Sequence, residues 1–302
     1  MKKMRIPLLI ALGVAIVGIV LGSFFDLEIS KAIASPNNVF GLIVSAIAPT
    51  FGFATVACMG GGFIALAIKG EYNKWLKVLF YVLASCCLGV AIYYPGGEYF
   101  GINGFYKTAP EWVGYLIVII PEGAAMYGGY VLFKDCQNKN MWIVFCIVIA
   151  LLLIALLGII PMIKDNMHRP RYRFISNADN VPFYNWWEAC TNHKELITRY
   201  QTHKDNFKSF PSGHTAETCI LFVGITFFPM ANKKFEKYQL SAFVLAAMFT
   251  LLLMTCRILA AAHYLSDVSW GATIMLALTL IVNEIVIHIK ALHIPEEEVA
   301  KE

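Results

Sequence analysis

The stretch MWIVFCIVIALLLIALLGIIPMI at residues 141–163 carries no charged side chain, and it breaks off into KDNMHRPRYR at residues 164–173, where charges crowd together. About 20 apolar residues in a helix cover the ~30 Å of bilayer hydrocarbon. The first piece therefore reads as a membrane-spanning helix and the second as what emerges from it. The same pattern repeats on either side, with apolar blocks at 6–25, 39–68, 76–95, 113–133, 213–231, 240–260 and 266–289 divided by short polar stretches. The chain of 302 residues is 58% hydrophobic and only 15% charged, with mean hydropathy +0.63. An ordinary soluble domain is excluded, and an all-α polytopic membrane bundle of about eight transmembrane helices is expected. The first block follows Lys2, Lys3 and Arg5, exceeds a signal peptide's usual ~7–15 apolar residues, and lacks a small-residue cleavage site, so an uncleaved span is expected. The block at 39–68 is too long for one straight span. With Pro49 and Gly60 to Gly62 inside it, it reads as a kinked span or as an interfacial piece followed by a span.

The formal net charge of +4 comes from basic residues that flank the spans rather than line a helix face, which argues against nucleic-acid binding. With the amino terminus inside, the lysine-bearing loops 69–77, 134–139 and 233–237 and the tail from Lys290 fall on the cytoplasmic side. The loops 26–38 and 96–112 fall outside. The loop 164–212 also falls outside, yet it holds Lys164, Arg169, Arg171, Arg173, Lys194, Arg199, Lys204 and Lys208, an excess that calls for an anionic ligand. Five of the eight cysteines (Cys58, Cys86, Cys87, Cys146 and Cys219) lie in apolar blocks, where a thiol behaves as a small hydrophobe, and no zinc-type spacing occurs. Glu122 and Glu284, at or within spans, receive no role.

Three polar segments stand at span ends, all on one predicted face: Lys164 to Arg173, Phe210-Pro211-Ser212-Gly213-His214, and Cys256-Arg257 followed by His263 and Asp267. Two histidines and one carboxylate among several cations make a poor metal site, because the cations repel a metal ion. They suit phosphate, which Lys164, Arg171 and Arg257 neutralise, while Ser212 and Gly213 at a helix start add backbone donors. His263 and Asp267 are four apart, so a helix there stacks the carboxylate on the ring and holds one nitrogen protonated while the other attacks phosphorus. His214 is the candidate acid for the leaving group and base for water. No cofactor is required by this chemistry.

These residues resemble the signature of the type 2 phosphatidic acid phosphatase superfamily, which includes lipid phosphate phosphatases, glucose-6-phosphatase and vanadium haloperoxidases. The signature is a lysine, six intervening residues and then Arg-Pro, a Pro-Ser-Gly-His, and a Ser-Arg followed at fixed spacing by His and Asp. The resemblance covers residues 141–289. It implies an acid phosphatase/haloperoxidase-like core in the carboxy-terminal half, with Lys164, Arg171, Ser212, Gly213 and Arg257 binding phosphate, His214 as acid, His263 as nucleophile and Asp267 as its orienting partner. Tyr172 stands where the family has proline, Pro170 precedes Arg171, and spacing favours Arg171 over Arg169 as the ligand. Cys256 replaces the family's serine, and a thiol is the weaker donor. Lipid-acting members typically have six spans with the lysine motif after the third, whereas here it follows the fifth. Phe183, Tyr184, Trp186 and Trp187 in the long loop suit either an interfacial lid or an ordinary aromatic belt.

The expected organisation is amino-terminal spans over 1–140, a phosphatase core over 141–290 with the external loop 164–212, and a cytoplasmic tail over 291–302. The expected activity is metal-independent hydrolysis of a lipid phosphate or diphosphate in the cell membrane, with the site open to the extracytoplasmic face. By resemblance the substrate is of the phosphatidic acid, phosphatidylglycerophosphate or undecaprenyl diphosphate type. A phosphotransferase built from the same residues, and an anion transporter or binding protein without chemistry, are the alternatives.

Overall fold

The computed structural model describes residues 2–99, 111–136 and 140–289; the expected tail at 291–302 and parts of the expected loops 96–112 and 134–139 lie outside the described residues. Helix follows helix, with no strand among the described residues. The long helices are α1 (Arg5–Ile33), α2 (Val39–Lys69), α3 (Lys74–Tyr99) and α4 (Glu111–Phe133), then α5 (Met141–Leu153) continuing into α6 (Ile160–Met167). Two short helices, α7 (Tyr172–Ile175) and α8 (His193–Arg199), lie in the long loop. They are followed by α9 (Gly213–Thr218), α10 (Ile220–Phe227), α11 (Gln239–Leu259) and α12 (Leu265–His288). Seven helical stretches among the described residues are long and apolar enough to cross a membrane.

The eighth expected span differs in form. Block 213–231 is not one helix but the pair α9 and α10, which meet at Cys219 and finish in a 3₁₀ turn, Phe228–Met230. It still crosses the bundle. Lys3 pairs with Glu236 and Arg5 with Glu284, which puts the chain start, the 233–238 segment and the end of α12 on one face. At the other end of the same segment, the Ser212 amide is bonded to Asp267 at the start of α12, on the opposite face.

Block 39–68 proves to be a single 31-residue helix with Pro49 inside it, and no break occurs at the glycines. α2 is the central helix, packed by α3, α4, α9, α10 and α11. In lipid, helices associate through close backbone approach rather than apolar burial alone. A Cβ on Gly61 would come within 1.8 Å of the Met126 carbonyl oxygen of α4, and one on Gly129 within 2.0 Å of the Cys58 carbonyl oxygen of α2. The glycine run therefore serves contact rather than flexion.

Between α5 and α6 the helix widens into a π-helical turn over Ile154–Ile159, and the Ile160 amide reaches back five residues to the Ala155 carbonyl. Pro161 follows directly. Its ring would clash with the carbonyl four residues earlier and it has no amide to donate, and a wider turn relieves both faults. The helix thus continues unbroken to Lys164.

Candidate active site

The first cationic segment leaves α6 at His168, a left-handed residue (φ 46°), and runs across the start of α12. Arg169 ends fully buried. Its Nε donates to the Tyr184 carbonyl (2.8 Å), Nη1 to Ser266 Oγ (2.9 Å) and Asp267 Oδ1 (2.6 Å), and Nη2 to Asp26 Oδ2 (2.9 Å), while the Tyr264 ring lies 4.2 Å from its guanidinium carbon. Every nitrogen of Arg169 is committed to protein, and its side chain is 0% exposed. Arg171, two residues on in an extended linker, donates through Nε to the Asp205 carbonyl (2.8 Å) and through Nη1 to the Ala262 carbonyl (3.3 Å), which brings it beside the α11–α12 turn. Lys164 reaches the Lys208 carbonyl with Nζ (3.1 Å).

The second segment is pinned to both others. Ser209 N–H donates to the Arg169 carbonyl (3.1 Å), and Ser212 N–H to the Asp267 carbonyl (3.0 Å). Gly271, one turn beyond Asp267 in α12, makes this approach possible, since a Cβ there would lie 2.4 Å from the Ser212 carbonyl oxygen. Ser212 caps α9, and its Oγ accepts from the Thr215 amide (3.4 Å) and hydroxyl (3.0 Å). The expected cradle therefore needs adjusting, because the Ser212 amide is already used by Asp267. The donors at the start of α9 begin with Gly213, and a six-residue helix contributes little dipole. His214, partly buried, sits in that first turn, on the same face of the bundle as His263.

In the third segment the amides of Ala262 and His263 both bond to the Arg257 carbonyl (3.1 and 3.3 Å), with Ala261 left-handed between them (φ 53°). This folds the turn back so that His263 lies near Arg257. The ring is 1% exposed, and its Nδ1 lies 2.6 Å from the Ser209 carbonyl oxygen and 3.8 Å from Asp267 Oδ2. The direct contact expected from the four-residue spacing is thus replaced by a relay. α12 begins only at Leu265, so His263 lies ahead of the helix and does not stack on Asp267. Asp267 Oδ2 instead accepts from the Ser209 hydroxyl (2.5 Å) and the Tyr264 amide (2.9 Å), and the Ser209 carbonyl accepts the hydrogen bond of the ring. A carbonyl only accepts, so Nδ1 carries the proton and Nε2 the lone pair. Burial holds the His263 pKa well below its usual range. Asp267 pulls the other way, and the charges of Arg257, Arg171 and Lys164 add to the depression. The ring is accordingly neutral at pH 7.

Sequence reading passed over Asp26, Ser209 and Glu217. Asp26 has no motif around it, Ser209 stands one residue ahead of the Phe210–His214 segment, and the partners of both lie far along the chain. Glu217 had a faint signal, being one helical turn beyond Gly213, and its Oε1 lies 3.7 Å from where a Gly213 Cβ would sit. Cys256 faces away from the site, packed with Val44, Ala48 and Leu253, so its thiol acts as a hydrophobe. The long loop has its own small core of Phe174, Cys190, Leu196 and Phe207. Trp186 donates to Ser23 Oγ on α1 (2.9 Å) and packs against Phe210 and Trp270, while Trp187 remains half exposed.

The fold is that of a polytopic helical membrane protein, in which the three polar segments meet at one end of the bundle. The PAP2 superfamily model matches residues 139–289, half of the chain, and the protein belongs to that superfamily, whose activity is of the phosphatase type. No curated protein and no solved structure matches the chain.

Proposed function

We propose that this protein is a metal-independent lipid phosphatase working through a phosphohistidine. His263 Nε2 attacks phosphorus and the bond to the leaving oxygen breaks, with His214 giving that oxygen a proton. His214 then takes a proton from water, whose oxygen displaces the phosphoryl group from His263 and releases inorganic phosphate. Lys164, Arg171 and Arg257, with the Gly213 amide and Ser212, hold the phosphoryl oxygens and offset the charge that builds on them. Asp267 orients His263 through Ser209. The observation that carries this reading is a neutral, buried His263 whose Nδ1–H donates to the Ser209 carbonyl, beside Lys164 and Arg171 of the first segment and Arg257 of the third. Capture of an anion without chemistry needs no such ring. The substrate class is a lipid monophosphate or diphosphate, supported by a site at the end of apolar helices.

The test is phosphate release by the purified protein over a panel of phosphatidic acid, phosphatidylglycerophosphate and polyprenyl diphosphate. At least one should be turned over, with radiolabel appearing in free phosphate rather than in a lipid or sugar acceptor. Chelators should change the rate less than about twofold and vanadate should inhibit, since the charge on phosphate is met by side chains. A strict need for a divalent ion contradicts the mechanism.

We also propose that the site opens on the extracytoplasmic face of the cell membrane. Support comes from the lysine-bearing 233–238 segment and the basic chain start sharing the opposite face. Asn177 is exposed in the long loop. A cysteine at Asn177 should react with an impermeant thiol reagent in intact cells; reaction only after lysis reverses the orientation.

A further inference from the structure

α1 lies outside the family-matched segment, yet one of its side chains ends in the site. Gly18, Gly22 and Asp26 are spaced four apart, on the face of α1 that packs on α12. A Cβ on Gly22 would lie 2.6 Å from the Ser266 amide nitrogen and 2.7 Å from Asp26 Oδ1, so the approach that lets Asp26 reach α12 requires glycine. Asp26 is 2% exposed. Its Oδ1 accepts the Ser266 N–H (2.9 Å), and its Oδ2 accepts the Ser266 hydroxyl and Arg169 Nη2 (2.9 Å).

Ser266 is the second residue of α12, where an amide has no partner within the helix. Asp26 supplies that partner from another helix and sets a negative charge at the positive end of the α12 dipole. Arg169 spans from Asp26 to Asp267, Asp267 accepts from the Ser209 hydroxyl, and the Ser209 carbonyl accepts from His263 Nδ1. The chain of contacts from α1 to the ring is unbroken.

We infer that Asp26 is a positioning residue for His263, so that the amino-terminal helix is part of the phosphatase centre rather than a membrane anchor beside it. This rests on His263 being the nucleophile. Asp26 is too buried to touch substrate, so its loss acts on turnover and not on binding.

The experiment compares Asp26→Asn, Asp26→Glu and Gly22→Ala with wild type, per folded molecule in detergent, and uses Gly13→Ala as a control, because a Cβ at Gly13 meets nothing. Asp26→Asn should lower kcat about 10-fold with KM unchanged, the low end of what losing a supporting partner costs, because Arg169, Asp267 and Ser209 stand between Asp26 and the ring. Asp26→Glu, which keeps the charge, should recover most of that loss. Gly22→Ala, which pushes the carboxylate aside, should lower kcat in the same way, and Gly13→Ala should not. Equal losses in the Asn and Glu variants, a wild-type kcat in Asp26→Asn, or loss of the folded protein in both Asp26→Asn and Gly22→Ala would each overturn the proposal. An inactive wild type would instead count against the phosphatase reading itself.

Discussion

His263→Ala in purified protein is expected to reduce phosphate release by roughly three orders of magnitude or more, because it removes the attacking atom and not a contact to it. The protein should remain folded. The deletion strands the Ser209 carbonyl, which costs about 1–3 kcal/mol, a loss that a bundle packed on α2 can absorb. Wild type incubated with labelled substrate and quenched in alkaline detergent should carry acid-labile, base-stable label, and the variant none. The pH profile adds a signed check. Attack needs the neutral ring, and burial with three neighbouring cations opposes protonation, so the acid limb of kcat/KM should fall below the ordinary histidine value of 6.5. An acid limb above 6.5, or undiminished turnover in the variant, refutes His263 as nucleophile.

The two arginines of the first segment should separate stability from catalysis. Arg169 is enclosed by Asp26 and Asp267 with no exposed side-chain surface. Arg169→Met leaves two carboxylates buried without their cation, and breaking such a pair costs about 3–5 kcal/mol. Folded yield and Tm should fall sharply, whatever the substrate. Arg171 donates to two backbone carbonyls, that of Asp205 in the long loop and that of Ala262 in the turn that carries His263. Arg171→Gln should keep its Tm within a few degrees and lose about 100-fold in kcat/KM, since a fork that grips phosphoryl oxygens has been removed. Thermal denaturation and kinetics on both variants check this, and the opposite pattern would make Arg169 the phosphate ligand. Spacing alone favoured Arg171, and the burial of Arg169 gives that preference a physical ground.

Sequence alone was enough for the membrane class, because the bilayer imposes one length and one polarity on every crossing and leaves little for tertiary contacts to override. The spacing of His263 after Arg257 and the Pro-Ser-Gly-His run were legible for a similar reason, since each depends on a few neighbouring residues. Only the folded chain decided the rest. Block 213–231 divided at Cys219, and block 39–68 did not break at its glycines, because those glycines serve close contact with other helices. Asp26 and Ser209 entered the site across 240 and 54 residues of chain, through hydrogen bonds that no periodicity encodes. The short hydrogen bond of His263 Nδ1 goes to a carbonyl, with Asp267 farther off at 3.8 Å, because α12 starts two residues too late to stack them. Local pattern reports which groups are available, and the direction each one points is set by what the other helices pack against it.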